Sequence, residues 1–334
     1  MPDPVMLLAG VITAALIVYA LTGGADYGGG VIDLFARGPR AKDLRALIAR
    51  AIGPIWEANH VWLILVIVLM FVCLPKAFAA IMTALHIPLT ILLIGLVLRG
   101  SAFVFRAYDD PSDEVQRRWS LIFAVASVVS PWALGATLGA VASGSITFDA
   151  AGRVQTDFVS AWAAPFPAAL GFFVVALFTL LAATYLTLET DDAELQDALR
   201  AQGLGAGLAS GLFAFVALAL SQTGAPRVWA GLTQQVWSLP FQVLTGAAAV
   251  GALAALIRRR WALARAAAAA QVVLIALGWA FSQAPYAVPP SLTLAEAAAP
   301  SSLITLVLTI LGGGAIFLIP AFILLYRVFG KRVW

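Results

Sequence analysis

Charged residues are scarce in this chain of 334 residues. Asp, Glu, Lys and Arg make up only 11% of it, whereas 62% of the residues are hydrophobic and the mean hydropathy is +0.96. Soluble domains carry about 25% charged residues, so this composition excludes a water-soluble fold. In lipid the backbone must satisfy its own hydrogen bonds, which leaves helices or a closed barrel. The apolar runs are long and continuous, so we predict an all-α polytopic membrane protein.

Cysteine and histidine are also nearly missing. Cys73 is the only cysteine, which excludes a disulfide framework and a thiolate metal site, and we expect it to be a small buried apolar residue. The net charge of +3 does not indicate nucleic-acid binding, because the basic residues lie in short loops between apolar runs. That distribution is typical of membrane topology.

Nine apolar runs are long enough to cross a bilayer, which requires roughly 20 residues. They lie near 4–23, 53–74, 77–98, 117–141, 160–186, 203–222, 236–257, 262–283 and 302–328. A tight turn at 74–76 is predicted between the second and third runs, where a proline and a lysine interrupt the pattern. The first run lacks a basic start and a clear cleavage site, so we expect a retained helix rather than a signal peptide. Residues 1–334 then form one transmembrane domain.

Lysine and arginine are distributed unevenly between the two sides that nine spans create. Seventeen of the 20 basic residues fall on one side: in 24–52, in 99–118, at Arg200, in 258–265 and in the tail with Arg327, Lys331 and Arg332. The opposite side has Lys76, Arg153 and Arg227. Because cytoplasmic loops carry the excess of positive charge, we predict an external amino terminus and a cytoplasmic carboxyl terminus.

A few ionisable residues fall within or beside the apolar runs, where charge is costly and usually functional. They are Asp26, Asp33, Glu57, His60, His86 and Arg99. The predicted topology places Asp26, Glu57, His60 and Arg99 near the cytoplasmic face, where they could transfer protons. Two structural alternatives stay open: Glu57 could form a buried ion pair with Arg99, and Asp26 could cap a helix end. For Asp33 a structural role is favoured.

Three other kinds of site are poorly supported. Glu57 and His60 have Glu-x-x-His spacing, but a di-iron centre needs a second copy and two further glutamates, which the chain lacks. His60 and His86 are expected at different depths in the membrane, so they could not ligate one haem together. The simpler interpretation is that each is an interior histidine with a hydrogen-bond partner. The glycine-rich segment 23–30 follows no strand, so it indicates a flexible or tightly packed helix end rather than a nucleotide site.

Three segments resemble subunit II of the cytochrome bd quinol oxidases. They are Gly24–Gly30 (GADYGGG), Ile52–Ile64 (IGPIWEANHVWLI) and Leu98–Arg106 (LRGSAFVFR). Weaker similarity continues through 183–186, 289–293 and 323–326, so the resemblance covers nearly the whole chain in order. Glu-Ala-Asn-His and Leu-Arg-Gly-Ser-Ala-Phe are most similar to the cyanide-insensitive branch.

The resemblance implies a bacterial inner-membrane subunit that binds no haem or metal and carries no catalytic residue. Its partner, subunit I, would hold the b- and d-type haems (or b-type only) and oxidise quinol. A small single-helix accessory subunit, lipid and quinone could also associate. Glu57 matches an acidic residue of a cytoplasmic proton path, Asp26 and Arg99 match neighbouring polar positions, and Trp62 matches a tryptophan near a dioxygen route. Thr22-Gly23 and Val104 depart from the family pattern, since relatives often carry an acid there.

Two other functions remain as alternatives. A proton-coupled secondary transporter is one, although the chain lacks paired Gly/Pro-broken helices in two halves. The other is a purely structural partner of a haem subunit, which differs only in whether Glu57 conducts protons. Copurification of a haem-bearing chain with a d-type absorption band favours the oxidase, whereas uptake of a substrate by this chain alone favours the transporter.

Overall fold

The computed structural model of the chain describes residues 3–53, 55–108 and 113–329. Pro54, which belongs to the segment Ile52–Ile64, and the basic tail residues Lys331 and Arg332 lie outside them. The helices in chain order are α1 (Pro4–Phe35), α2 (Ala41–Ile52), α3 (Trp56–Cys73), α4 (Pro75–Ala84), α5 (His86–Tyr108), α6 (Asp113–Ser143), α7 (Pro165–Leu186), α8 (Ala193–Gly224), α9 (Pro226–Thr233), α10 (Ser238–Ile257), α11 (Trp261–Gln283), α12 (Leu294–Ala297) and α13 (Ser301–Phe329). Within the described ranges nine of them, all but α2, α4, α9 and α12, are long and apolar enough to span a bilayer. The predicted all-α fold with nine spans is confirmed.

The ends of the bundle differ in charge and in secondary structure. One end carries Arg45, Arg106, Arg200 and Arg259, and we call it the basic end. The opposite end carries two small antiparallel hairpins. The first pairs β1 (Thr147–Phe148) with β2 (Val154–Gln155), and the second pairs β3 (Tyr286–Val288) with β4 (Leu292–Thr293).

The first helix is longer than the apolar pattern predicts. We expected a span at 4–23 followed by a loop at 24–52, but α1 continues to Phe35 and includes the whole glycine-rich segment. The prediction failed because glycine disfavours an isolated helix, whereas here it permits close helix packing. A Cβ atom on Gly28 would lie 1.9 Å from the carbonyl oxygen of Phe178 in α7, and one on Gly30 would lie 2.0 Å from Ser127 Oγ in α6.

The remainder of the predicted loop is the amphipathic helix α2. It buries Leu44, Leu47, Ile48 and Ile52 at the basic end and presents its polar side outward. Such a helix is typical of a membrane–water interface. It also brings Arg45 to the end of α1.

The third predicted span, 77–98, is divided in the structure. The tight turn is present, since α3 ends at Cys73 and Pro75 begins α4, but α4 ends at Ala84 and a new helix, α5, begins at His86. The short helix α4 packs beside β2, β3 and α12 at the end opposite the basic end. The His86–Arg106 part of α5 has 21 residues, about 31 Å at 1.5 Å per residue, which is enough to span the bilayer alone.

Helix α7 forms the centre of the bundle. It packs against α1, α6, α8 and α11, and most of its residues are buried. Helix α13 packs mainly against α1 and stays exposed along most of its length. Cys73 is fully buried among apolar residues, as predicted.

Candidate functional site

A group of polar side chains, buried except for the half-buried His60, lies where α1, α3, α5 and α6 meet near the basic end. We call it the buried polar cluster, and its members are Tyr19, Asp26, Tyr27, Asn59, His60, Arg99 and Ser127. Three of the four predicted proton-path residues (Asp26, His60 and Arg99) belong to it, and the fourth, Glu57, does not.

Asp26 is only 4% exposed and lies within α1 rather than at its end, so the alternative of a helix cap is wrong. The side-chain amide of Asn59 donates a hydrogen bond from Nδ2 to Asp26 Oδ2, at 2.7 Å. This contact joins α1 to α3 and satisfies part of a buried carboxyl group, which would be costly to leave without partners. Asn59 belongs to the segment Ile52–Ile64, but the sequence analysis did not predict a role for it.

Arg99 is the largest of the fully buried side chains, at 2% exposure. Its Nε donates to Ser127 Oγ at 3.3 Å, and its Cζ lies 5.0 Å from the ring centroid of Tyr27 and 5.2 Å from that of Phe123. No carboxylate of a described residue lies within ion-pair distance of the guanidinium, and its Nη2 has no hydrogen-bond partner among the described residues. Aromatic faces therefore hold this cation by cation–π contact.

Two tyrosines extend the cluster toward His60. The hydroxyl groups of Tyr19 and Tyr27 are 3.0 Å apart and hydrogen-bonded, and the Tyr19 hydroxyl lies 3.5 Å from His60 Nδ1. His60 also makes tilted and edge contacts with the rings of Tyr19, Tyr27 and Trp56. Sequence reasoning missed both tyrosines. The sequence could have indicated them, because each places a hydroxyl group in a span that is otherwise apolar or rich in glycine. A buried hydroxyl group requires a hydrogen-bond partner.

Glu57 lies on the outer surface of α3, away from the cluster. Its side chain is exposed and makes no hydrogen bond or ion pair with a described residue, so the expected grouping with Asp26 and the alternative of an ion pair with Arg99 are both wrong. It lines a shallow groove with Trp56, Gly100 and Ser101, at the basic end of α3 and α5. Helical geometry explains the separation: Asn59 follows Glu57 by about 200° around a helix with 3.6 residues per turn.

The contacts of Asp33 are those of a structural residue, the role that the sequence favoured for it. Its carboxylate is buried and pairs with Arg45 Nε at 2.7 Å and Arg106 Nη1 at 2.8 Å. The two ion pairs tie the end of α1 to α2 and α5. Breaking such a buried pair is strongly destabilising, so Asp33 stabilises the basic end.

The other aromatic and histidine candidates lie apart from the cluster. Trp62 is half-buried and stacks on Phe322 of α13, with ring centroids 5.3 Å apart. His86 begins α5 at the end opposite the basic end, where it is exposed, contacts Phe158 and lies 3.0 Å from the carbonyl oxygen of Thr83. The prediction of a mid-membrane interior histidine is therefore wrong for His86, because the third span begins nine residues later than expected.

A largely apolar cavity of about 360 Å³ lies beside the cluster. It is enclosed by α1 and by the helices from α6 to α11, and Tyr19 and Phe178 form part of its wall. Tyr19 thus separates the apolar cavity from the polar groups around Arg99.

Comparisons with known proteins agree with this architecture. The profile of the family "Cytochrome bd terminal oxidase subunit II" matches residues 4–329. Over 112 residues the chain is 35% identical to subunit 2 of the cytochrome bd ubiquinol oxidase of Bacillus subtilis strain 168, covering 34% of this chain and 32% of that protein. Over 138 residues it is 28% identical to subunit 2 of the cytochrome bd-I ubiquinol oxidase of Escherichia coli K12, covering 41% and 35%.

The chain thus aligns with about one third of the length of these curated relatives. The similarity in structure is wider: a chain of the bd oxidase from Geobacillus thermodenitrificans has the same fold, with a TM-score of 0.81, 22% identity and 98% coverage of both chains. The resemblance found in the sequence is confirmed, and the chain belongs to the cytochrome bd terminal oxidase subunit II family.

Proposed function

We propose that this chain is the haem-free membrane subunit of a quinol:dioxygen oxidoreductase in the bacterial inner membrane. It pairs with a haem-bearing subunit, which oxidises quinol and reduces dioxygen to water. The basic end faces the cytoplasm, since cytoplasmic loops carry the excess of Lys and Arg. The chain stabilises its partner and supplies part of the cytoplasmic proton path.

The observation that carries this proposal is the exposure of Glu57 on a helix face that is otherwise apolar. Along α3 the exposed side chains after Glu57 include Val61, Ile64, Val68 and Phe71, at alternating steps of four and three residues, and Ile67 widens this exposed face beside Val68. This spacing places Glu57 and the side chains at these steps on one stripe, the pattern by which a helix contacts a neighbouring helix. A carboxylate on a lipid-facing stripe would be costly. A second membrane protein that covers the stripe and pairs with Glu57 removes that cost.

Haem is assigned to the partner because the histidines of this chain do not fit axial ligation. His60 lies beside Tyr19 at the basic end, and His86 lies near Thr83 at the other end. A bis-histidine site needs both imidazoles on opposite faces of one macrocycle, which these positions exclude. Bound in the partner, haem would provide the redox centres through which electrons from quinol reach dioxygen.

Reduction of dioxygen to water consumes protons, and Glu57 is placed to deliver them at the boundary between the subunits. A carboxyl group on the groove at the basic end takes a proton from the cytoplasmic side and passes it across the covered face. Asp26, Arg99 and His60 lie on the inner side of α3, where they determine the electrostatic environment of the proton path. Trp62 lies on the same helix and is proposed to border the route of dioxygen. Lipid and quinone are the membrane components that suit the cavity beside Tyr19.

The experiment compares Glu57→Gln and Glu57→Asp in the purified complex. Glu57→Gln keeps the size of the side chain but removes its proton exchange, so we expect quinol-dependent oxygen uptake to fall by about a hundredfold, the lower end of the range for one proton-transfer group. Glu57→Asp should retain most of the activity. The haem spectrum, recorded on the same samples, should be unchanged because assembly does not need the titrating group.

Two results would contradict the proposal. Wild-type oxygen uptake and pH profile in Glu57→Gln would exclude proton delivery by this residue. Purification of the chain without a haem-bearing partner, together with solute uptake by vesicles that contain it alone, would favour the transporter.

A further inference from the structure

Three consecutive arginines connect two membrane-spanning helices. Helix α10 ends at Ile257 and α11 begins at Trp261, so Arg258, Arg259 and Arg260 form the whole connection, which we call the arginine turn. Because both flanking helices span the bilayer, the turn lies at the level of the lipid headgroups. The tryptophan that follows it is of the type that anchors helix ends at this level.

The shape of the turn is fixed by contacts with α8. Arg259 adopts a positive φ of 54°, a conformation that favours glycine, and the backbone N–H of Arg260 donates to the carbonyl oxygen of Ala255 at 2.8 Å. The Arg259 side chain binds Asp197 at 3.0 Å, and Arg200 Nε donates to the carbonyl oxygen of Leu256 at 2.9 Å. Arg259 and Arg200 therefore satisfy the needs of the fold at this corner.

The side chains of Arg258 and Arg260 take no part in these contacts. Both are exposed, and neither side chain makes a hydrogen bond or ion pair with a described residue. Two exposed apolar side chains lie beside them in sequence, Ile257 at 57% exposure and Leu263 at 52%. The corner thus combines two unpaired guanidinium groups at headgroup depth with apolar surface directed at the hydrocarbon.

We propose that the arginine turn binds the phosphodiester headgroup of an anionic phospholipid, with the acyl chains lying along Ile257 and Leu263. Guanidinium groups bind phosphate oxygens through paired, charge-assisted hydrogen bonds. Basic side chains at the membrane surface attract anionic lipids, and each contributes about a fivefold gain in affinity. A lipid suits both halves of the site, since an acidic protein segment would leave the apolar side chains uncovered.

The test is a titration of the intact, detergent-solubilised complex with phosphatidylglycerol and with phosphatidylcholine, followed by native mass spectrometry. We expect wild-type protein to prefer phosphatidylglycerol by about thirtyfold, from two arginines. The preference should disappear in Arg258→Gln/Arg260→Gln and persist in Arg258→Lys/Arg260→Lys. Arg117→Gln/Arg118→Gln is the matched control, because it also removes two charges at the basic end while Arg118 is already paired with Glu114.

An unchanged preference in Arg258→Gln/Arg260→Gln would overturn the proposal. So would loss of a copurifying polypeptide from that variant with lipid binding intact, since the turn would then be a protein-docking surface. If the glutamine variant does not assemble, wild-type protein is titrated in low and high salt. Loss of the preference at high salt supports the site, because screening weakens exposed charge contacts, and salt-independent binding contradicts it.

Discussion

The buried polar cluster and the outer face of α3 show two ways in which a membrane protein treats ionisable groups. In the cluster, Asp26 and Arg99 are enclosed by partners within this chain, an amide and two aromatic faces. On the outer face, Glu57 has no hydrogen-bond or ion-pair partner among the described residues, although it is only two residues from Asn59. Most groups of the cluster find partners within this chain, whereas Glu57 is proposed to find its partner in a second protein.

The largest effect is expected from a substitution that disrupts helix packing in the interior and leaves the outer face of α3 unchanged. Gly28→Ala places a Cβ atom 1.9 Å from a backbone oxygen of α7, which cannot move aside as a side chain would. We expect a loss of about 3 kcal/mol or more in stability, the upper range for overpacking, and little assembled complex. The matched control on the same helix is Gly10→Ala, where no atom lies within 4 Å, and it should melt at or above the wild-type temperature. Equal yields and melting temperatures for both variants would contradict the close packing of α1.

The second prediction compares Arg99→Gln with Glu57→Gln in thermal unfolding of the complex. Arg99→Gln removes a buried cation that is hydrogen-bonded to Ser127 and packed on two aromatic rings, so we expect a loss of about 1.5–3 kcal/mol, the range for a hydrogen bond to a charged group. Glu57→Gln should cost less, because Glu57 makes no hydrogen bond or ion pair with a described residue of this chain and glutamine can still hydrogen-bond to the partner that is proposed to cover it. A reversed order would mean that Glu57 contributes more to the stability of the complex than Arg99 does.

A smaller effect should follow from the tyrosine pair. Tyr27→Phe removes the hydroxyl that binds Tyr19 but keeps the ring under Arg99, so only one hydrogen bond is lost. Both hydroxyl groups belong to α1, and one hydrogen bond within a protein contributes about 0.5–1.5 kcal/mol, which sets the expected loss. Tyr27→Leu, which also removes the cation–π contact, should cost more, and similar melting temperatures for the two would exclude a role of the ring.

The smallest effect concerns surface charge at the basic end. Arg40 forms ion pairs with Asp43, Asp192 and Glu194, and its hydrogen bond lowers the pKa of Asp192 below the usual 3.8. A lowered pKa means that the stabilisation is present above pH 3.8 and is lost as the pH falls through the lower, folded-state value. Arg40→Gln should therefore lower the melting temperature slightly at pH 7 in low salt. The difference from wild type should vanish at high salt or at acidic pH, and a difference that persists in both would contradict an exposed ion pair.

Hydropathy was sufficient to predict the number of spans and their order, because burial in lipid depends on composition over some 20 residues. It could not predict that α1 continues through Gly23–Gly30, since the contacts that stabilise this segment come from α6 and α7. Nor did it predict the break at Leu85, because the residues on both sides of it are equally apolar.

The candidate site shows the same limit. The sequence placed Asp26, Glu57, His60 and Arg99 at one end of the bundle, which is where the structure has them. It did not fix the rotation of α3, which decides that Asn59 faces Asp26 while Glu57 faces outward. The depth of a residue in the membrane can be estimated by counting residues along the helix. The direction of its side chain depends on how the helices pack together.

The most direct test of the account is photocrosslinking from position 57 in the assembled complex. Benzoylphenylalanine in place of Glu57 is expected to form, on irradiation, a covalent product that contains both this chain and the haem-bearing subunit, with unirradiated complex as the control. Products with lipid alone, or none with the second subunit, would show that the outer face of α3 does not meet the partner and would contradict the proposed proton delivery.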